Sequence, residues 1–264
     1  MVLIVFFSCL FLGSLVGFFA GLLGIGGGLI IVPTLVYLLP LIDIDSQLVM
    51  PMALATSLAS IVVTSSSAAL VHHQQQNIPW ALAKILIAFV AVGALIGAYI
   101  ASVLSVKALT TFFASAVFVL AVYMLISIKS NNNHPMPSHF VLRVLGVFTG
   151  ILSSLMGIAG GIVLVPMLNY FGLPLRQTIG VATVCGVMVA IFGSIGYIIS
   201  GWGQLNLPSW SLGYVYLPAL LGIVSSSSIF ARYGVKLASV LPVAKLKKFF
   251  AGFLILVAIK MILQ

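Results

Sequence analysis

GSLVGFFAGLLGIGGGLIIVPTLVYLLP, residues 13–40, is the stretch on which the fold of this chain turns. It opens as an apolar helix with small residues at Gly13, Gly17, Gly21 and Gly24. It then meets the cluster Gly24-Ile25-Gly26-Gly27-Gly28 and runs apolar through Val32 to Pro33. A glycine inside a helix costs about 1 kcal/mol relative to alanine. Three in a row within so apolar a segment therefore predict a helix break at membrane depth. The chain then repeats itself: residues 146–171 read GVFTGILSSLMGIAGGIVLVPMLNYF. Laid over residues 13–38 without a gap, eleven of the twenty-six pairs are identical. They include Gly17/Gly150, Gly24/Gly157, Gly27/Gly160, Gly28/Gly161, Pro33/Pro166 and Tyr37/Tyr170. The chain is an internal duplication, read as a first transmembrane repeat over 1–129, a polar linker SNNNHPMPSH over 130–139, and a second repeat over 140–264.

Composition sets the solvent. Hydrophobic residues make up 62% of the chain and charged residues 5%, with Asp43 and Asp45 the only acids. Soluble domains carry about 25% charged residues, so a polytopic membrane protein is the class that fits. The net charge of +9 does not point to nucleic acid, because the basic residues fall singly at the ends of apolar runs. Cys9 and Cys185 sit in apolar runs and read as inert buried thiols. The N-terminus, MVLIVFF, has no positive segment before its apolar run and reads as a retained first span.

A membrane-crossing helix needs roughly 20 apolar residues. Eight stretches qualify: 2–23, 49–71, 80–103, 108–128, 140–156, 178–200, 212–232 and 246–264. Two shorter ones, 29–41 and 161–172, follow the glycine clusters and suit half-helices or re-entrant arms. The fold class is thus all-α and polytopic, with about eight long helices and two short broken ones. The loop carrying Arg232, Lys236, Lys245, Lys247 and Lys248 is placed in the cytoplasm. If each glycine cluster is the tip of a hairpin that enters and leaves on one side, the halves are inverted. Lys84, Lys129, Arg143 and Arg176 then also lie inside, leaving only Lys107 and Lys260 outside, near span ends. If the broken element crosses fully, the repeats are parallel and Lys129 and Arg143 fall outside. Charge favours the inverted arrangement. Trp80, Trp202, Trp210, Tyr214 and Tyr216 lie near predicted boundaries, where such rings anchor at headgroup level.

The pattern G-x-x-x-G-x-x-G-x-G-G-G-x-x-x-x-P at Gly17 to Pro33, with its second copy at Gly150 to Pro166, resembles the TauE/SafE sulfite-exporter family of bacterial membrane proteins. Ala55-Thr56-Ser57-Leu58, Thr64-Ser65 leading to His72-His73, Ile78-Pro79-Trp80, and Ala182-Thr183 extend the likeness over nearly the whole chain. The second copy departs at Ala159, where Gly26 stands in the first, and at Ser154 against Gly21, so the two halves of a site need not be equal. The resemblance implies a multi-pass protein of the bacterial inner membrane that transports, typically exports, a small sulfur-containing anion such as sulfite or an organosulfonate.

The residues themselves offer a mechanism. Unwound backbone inside a bilayer survives only where it lines a cavity or is buried in protein. Its free N–H groups, with the positive end of the following half-helix, favour an anion. The candidate binding residues are Gly24, Gly26, Gly27 and Gly28 in the first copy and Gly157, Gly160 and Gly161 in the second. Thr56, Ser57 and Thr183 join them as hydroxyl donors that need no intramembrane charge. The competing reading is close helix packing through small residues, with hydroxyls turned onto helix carbonyls. Arg176 fits a cytoplasmic mouth or a topological marker, and His72 and His73 a proton carrier or a solvated pair. With no acid in any span, coupling through a carboxylate is disfavoured, and export driven by the membrane potential is expected. No cofactor or metal is called for. No H-E-x-x-H, acidic pair or nucleophile elbow is present, so the chain does not read as an enzyme. A channel, and uptake in place of export, stay open as alternatives.

Overall fold

In a computed structural model, the structure describes residues 2–23, 27–126, 136–238 and 243–262. The elements in order are α1 (Val2–Leu23), α2 (Gly28–Leu38) followed by a 3-10 turn (Leu39–Ile42), α3 (Ser46–Gln74), α4 (Trp80–Val103) and α5 (Val106–Ile126). The second half gives α6 (His139–Met156), α7 (Gly161–Tyr170), α8 (Leu175–Gly201), a ribbon of β1 (Ser211–Leu212) and β2 (Val215–Tyr216), α9 (Leu217–Ala238) and α10 (Val243–Ile262). The apolar stretches picked out above lie mainly in helices, except that 212–232 opens in the ribbon and is helical only from Leu217; Gly27 and Gly157 interrupt the helical run. Among the described residues, α3, α4, α5, α6 and α8 are long and apolar enough to cross a membrane. Residues 127–135, which hold most of the expected linker, lie outside the described residues.

Helix ends follow local chemistry. Asp45 caps α3 by accepting from the Gln47 N–H at 2.9 Å, and Ser138 caps α6 through the Val141 N–H at 3.5 Å. Pro33, Pro51 and Pro166 lie inside α2, α3 and α7, each in the second turn of its helix, where each removes one backbone donor.

Packing follows the duplication. The principal helix pairs are α1 with α9, α4 with α6, α3 with α8, α4 with α8, and α5 with α10. Exchanging the halves turns α1–α9 into α6–α4 and returns α3–α8 and α5–α10 to themselves. Small residues bring the helices close: Gly13 and Gly17 lie against Ile223, Ser226 and Ser227, while Gly93 and Gly97 lie against Val147 and Ile151. Positions rise together in both of these pairs, so α1 runs parallel to α9, and α4 to α6. The equivalent helices α3 and α8 run the other way. Gly180 meets Asn77 and Ile78, whereas Gly193 meets Leu58. The core of Leu54, Leu58, Val181, Ala182, Val189 and their neighbours is fully or almost fully buried between the halves.

The ribbon between α8 and α9 was not anticipated. Gly213, at φ 54°, turns it back against α8, where the Tyr214 N–H donates to the Tyr197 carbonyl at 3.5 Å. Tyr214 and Tyr216 are consequently buried in protein, whereas Trp202 and Trp210 are about 70% exposed.

Candidate functional site

The second glycine cluster ends α6 and starts α7. Gly157 takes φ 61°, a left-handed conformation that costs a residue with a Cβ about 1–2 kcal/mol. Its N–H donates to the carbonyls of Ser153 and Ser154, and the Ile158 N–H reaches Ser153 at 3.0 Å, which closes the end of α6. The chain crosses Ile158 to Gly160 and winds again from Gly161. The N–H groups of Val163 and Leu164 return to the Gly160 carbonyl at 3.3 and 3.0 Å. Those of Ala159, Gly160, Gly161 and Ile162 find no backbone acceptor among the described residues. These are the orphan donors at a helix start, backed by the positive end of the α7 dipole.

The first break is described from Gly27 onward, and there it differs from its counterpart, because Gly27 is left-handed where Gly160 has φ −58°. Gly27, at φ 78°, precedes α2, and its carbonyl accepts from Ile30 at 3.0 Å and Ile31 at 3.2 Å. Gly24 and Gly26 lie outside the described residues. The two breaks touch: Gly28 packs against the Gly157 carbonyl and Ile158, and the Ser57 hydroxyl donates to the same Gly157 oxygen at 2.7 Å. Gly28, Gly157, Ser57 and Thr56 are all buried at the junction of the halves. Gly160 and Gly161 line the opposite arm, against Val189 and Ala182 of α8.

The expected hydroxyls have partners. Thr56 accepts the Tyr216 N–H at 3.0 Å, tying α3 to the ribbon. Ser60 and Thr183 donate back to the carbonyls of Thr56 and Ile179, four residues earlier, at 2.8 and 2.7 Å. Ser57 therefore locks the second break in place. Ser57→Ala orphans a buried carbonyl and should lower stability by about 1–3 kcal/mol, read as a lower melting temperature of the purified protein in detergent.

Two residues passed over in the sequence stand out here. Thr149 and Ser153, one turn apart on α6, are fully buried, and their hydroxyls have no hydrogen-bond partner among the described residues. Both border Gly160: a Cβ built there would sit 3.3 Å from Thr149 Cγ2 and 3.7 Å from Ser153 Oγ. The available signal was the T-x-x-x-S spacing, which the first copy replaces with Val16 and Ala20. Ser154 is also buried and unpartnered, but lies toward Gly97 of α4 and Gly193 of α8.

Charge stays away from this region. Every buried polar residue among the described ones is a serine or threonine. Arg176 is exposed, as are Asp43 and Asp45. His73 stacks edge-to-face on Trp80 with ring centroids 5.6 Å apart, and His72 is half-buried with its Nδ1 unpartnered among the described residues.

Comparison with known proteins agrees on the class. The family described as sulfite exporter TauE/SafE matches residues 9–261. A protein of Haemophilus influenzae named "Probable membrane transporter protein" is 43% identical over 257 residues, covering 97% of each chain. A similarly named protein of Methanocaldococcus jannaschii is 27% identical over 85% of this chain and 83% of its own. One of Bacillus subtilis, "Probable membrane transporter protein YunE", is 24% identical over 72% of this chain and 77% of its own. No solved structure matches. With a broken-helix motif in each half and a family match over nearly its whole length, the chain belongs to the sulfite exporter TauE/SafE family.

Proposed function

We propose that this membrane transporter exports a small sulfur oxyanion, sulfite or an organosulfonate, across the cytoplasmic membrane by alternating access of two inverted repeats, 1–129 and 140–264. The observation that carries the reading is the meeting of the two breaks, with amides at the start of α7 that have no backbone acceptor among the described residues. An anion there replaces lost hydration with backbone N–H groups and a helix dipole, as at other helix N-termini. Gly24, Gly26, Gly27 and Gly28 serve the first arm and Gly157, Gly160 and Gly161 the second. Thr56, Ser57 and Thr183 shape the wall. Inversion is supported by the antiparallel course of α3 and α8, because a two-fold axis that exchanges antiparallel helices lies across them, in the plane of a bilayer. Rocking of one repeat against the other then opens the breaks to alternate sides.

The test is purified protein in sealed vesicles, assayed for flux of sulfite, thiosulfate, sulfate and alkanesulfonates. A carrier gives saturable flux and counterflow, in which unlabelled anion on one side drives labelled anion uphill from the other. Flux that is linear in concentration without counterflow makes the protein a channel. Absence of flux for every anion in the panel rejects the proposal.

A further inference from the structure

Membrane helices usually silence a hydroxyl by turning it onto the carbonyl one turn back. Thr34, Ser60, Thr111 and Thr183 do so here at 2.7–2.8 Å. Thr149 and Ser153 do not, although both are fully buried. Leaving two donors unpaired at one place is costly unless something else accepts from them. Ser153 Oγ and Thr149 Cγ2 both border Gly160, at 3.7 and 3.3 Å from a Cβ built there, and the adjoining amides of Gly161 and Ile162 have no backbone acceptor among the described residues. α7 is 10 residues long, enough for a developed dipole at that end.

We infer that Thr149 and Ser153 donate hydrogen bonds to the transported anion, and that the site selects singly charged over doubly charged oxyanions. The inference rests on the anion-transport reading above and deepens it. Selection follows from the kind of donor. Removing an ion from water costs free energy that grows as the square of its charge, whereas its attraction to neutral dipoles grows only in proportion. Doubling the charge quadruples the cost and merely doubles the return. A buried cation would restore the balance, but among the described side chains Lys84, Lys107, Arg143, Arg176 and Lys260 are all exposed. The first copy carries Val16 and Ala20 at the matching positions, so these side-chain donors come from one repeat only. The substrate is therefore a monoanion such as hydrogen sulfite or an alkanesulfonate, gripped from the second half.

The experiment is uptake of radiolabelled methanesulfonate into proteoliposomes, with unlabelled sulfate as competitor. The two are tetrahedral sulfur oxyanions of similar size and different charge. Sulfate should compete at least about tenfold more weakly than unlabelled methanesulfonate. Ser153→Ala and Thr149→Val should each raise KM roughly tenfold or more, and Thr149→Ser, which keeps the hydroxyl, should stay near wild type. Ser154→Ala, equally buried but facing α4 and α8, should leave KM alone. Unchanged KM in Ser153→Ala and Thr149→Val, or equal competition by sulfate, overturns the inference while anion transport stands. The sulfate comparison uses the wild-type protein and holds even if a variant fails to fold. If the wild-type protein moves none of methanesulfonate, sulfite, thiosulfate or sulfate, the transport reading itself falls, and this inference with it.

Discussion

Gly160→Leu is expected to abolish saturable anion flux while the protein still folds. Gly160 has φ −58°, so its backbone accepts any side chain without strain. The nearest atoms to a Cβ there are Thr149 Cγ2, Val189 Cγ2 and Ser153 Oγ, at 3.3–3.7 Å. Beyond the Cβ, three further carbon atoms of leucine would occupy the space assigned to the anion and shield the Gly161 and Ile162 amides. A loss of roughly 3 kcal/mol of binding lowers affinity by about a hundredfold. Gly252→Ala, on α10 and outside the site, is the control. A Cβ there would find nothing within 4 Å, so flux should survive. Elution as a single species and an unshifted melting temperature report folding independently of flux. If Gly160→Leu folds and transports as the wild type does, the break serves packing alone.

The second large effect is electrical. The chain has two acids, Asp43 and Asp45, and both are exposed at the turn between α2 and α3, where Asp45 caps a helix. No carboxylate is then placed to carry a proton or sodium ion through the spans. An anion leaving a compartment held at −100 mV gains about 2.3 kcal/mol per charge, which sustains a gradient of roughly fiftyfold for a monoanion. In vesicles clamped with potassium and valinomycin, an inside-negative potential should accelerate efflux and set a gradient of about that size. Flux that responds to a proton or sodium gradient and ignores the potential would replace this mechanism with a coupled one.

The helices were legible because apolar runs of membrane length leave few alternatives, and the breaks because clustered glycine has no reason to sit in a greasy helix. Gly157 shows the logic: its left-handed φ and its two cap bonds end α6 where the glycine pattern ended it. The ribbon at 211–216 escaped notice because Tyr214 and Tyr216 read equally well as interfacial anchors. Their burial comes from the turn at Gly213 and from Thr56, which lies 160 residues away from its partner Tyr216. Hydroxyls were the hardest to sort. Thr56 and Ser57, expected as donors to the anion, are engaged in tying the halves together. The pair at Thr149 and Ser153, without partners among the described residues, falls within the repeat, where the glycines match and these two positions do not. Unequal positions in a duplicated chain, Val16 against Thr149 and Ala20 against Ser153, are where the two halves divide the work.

The most direct measurement is the structure of the protein with bromomethanesulfonate, a monoanion whose bromine identifies itself by anomalous scattering. The sulfonate should lie at the start of α7, within hydrogen-bond distance of the Gly161 N–H and Ser153 Oγ, between the two breaks. A bromine signal elsewhere in a protein that still transports the compound, with the α7 amides occupied by other protein groups, would contradict the account.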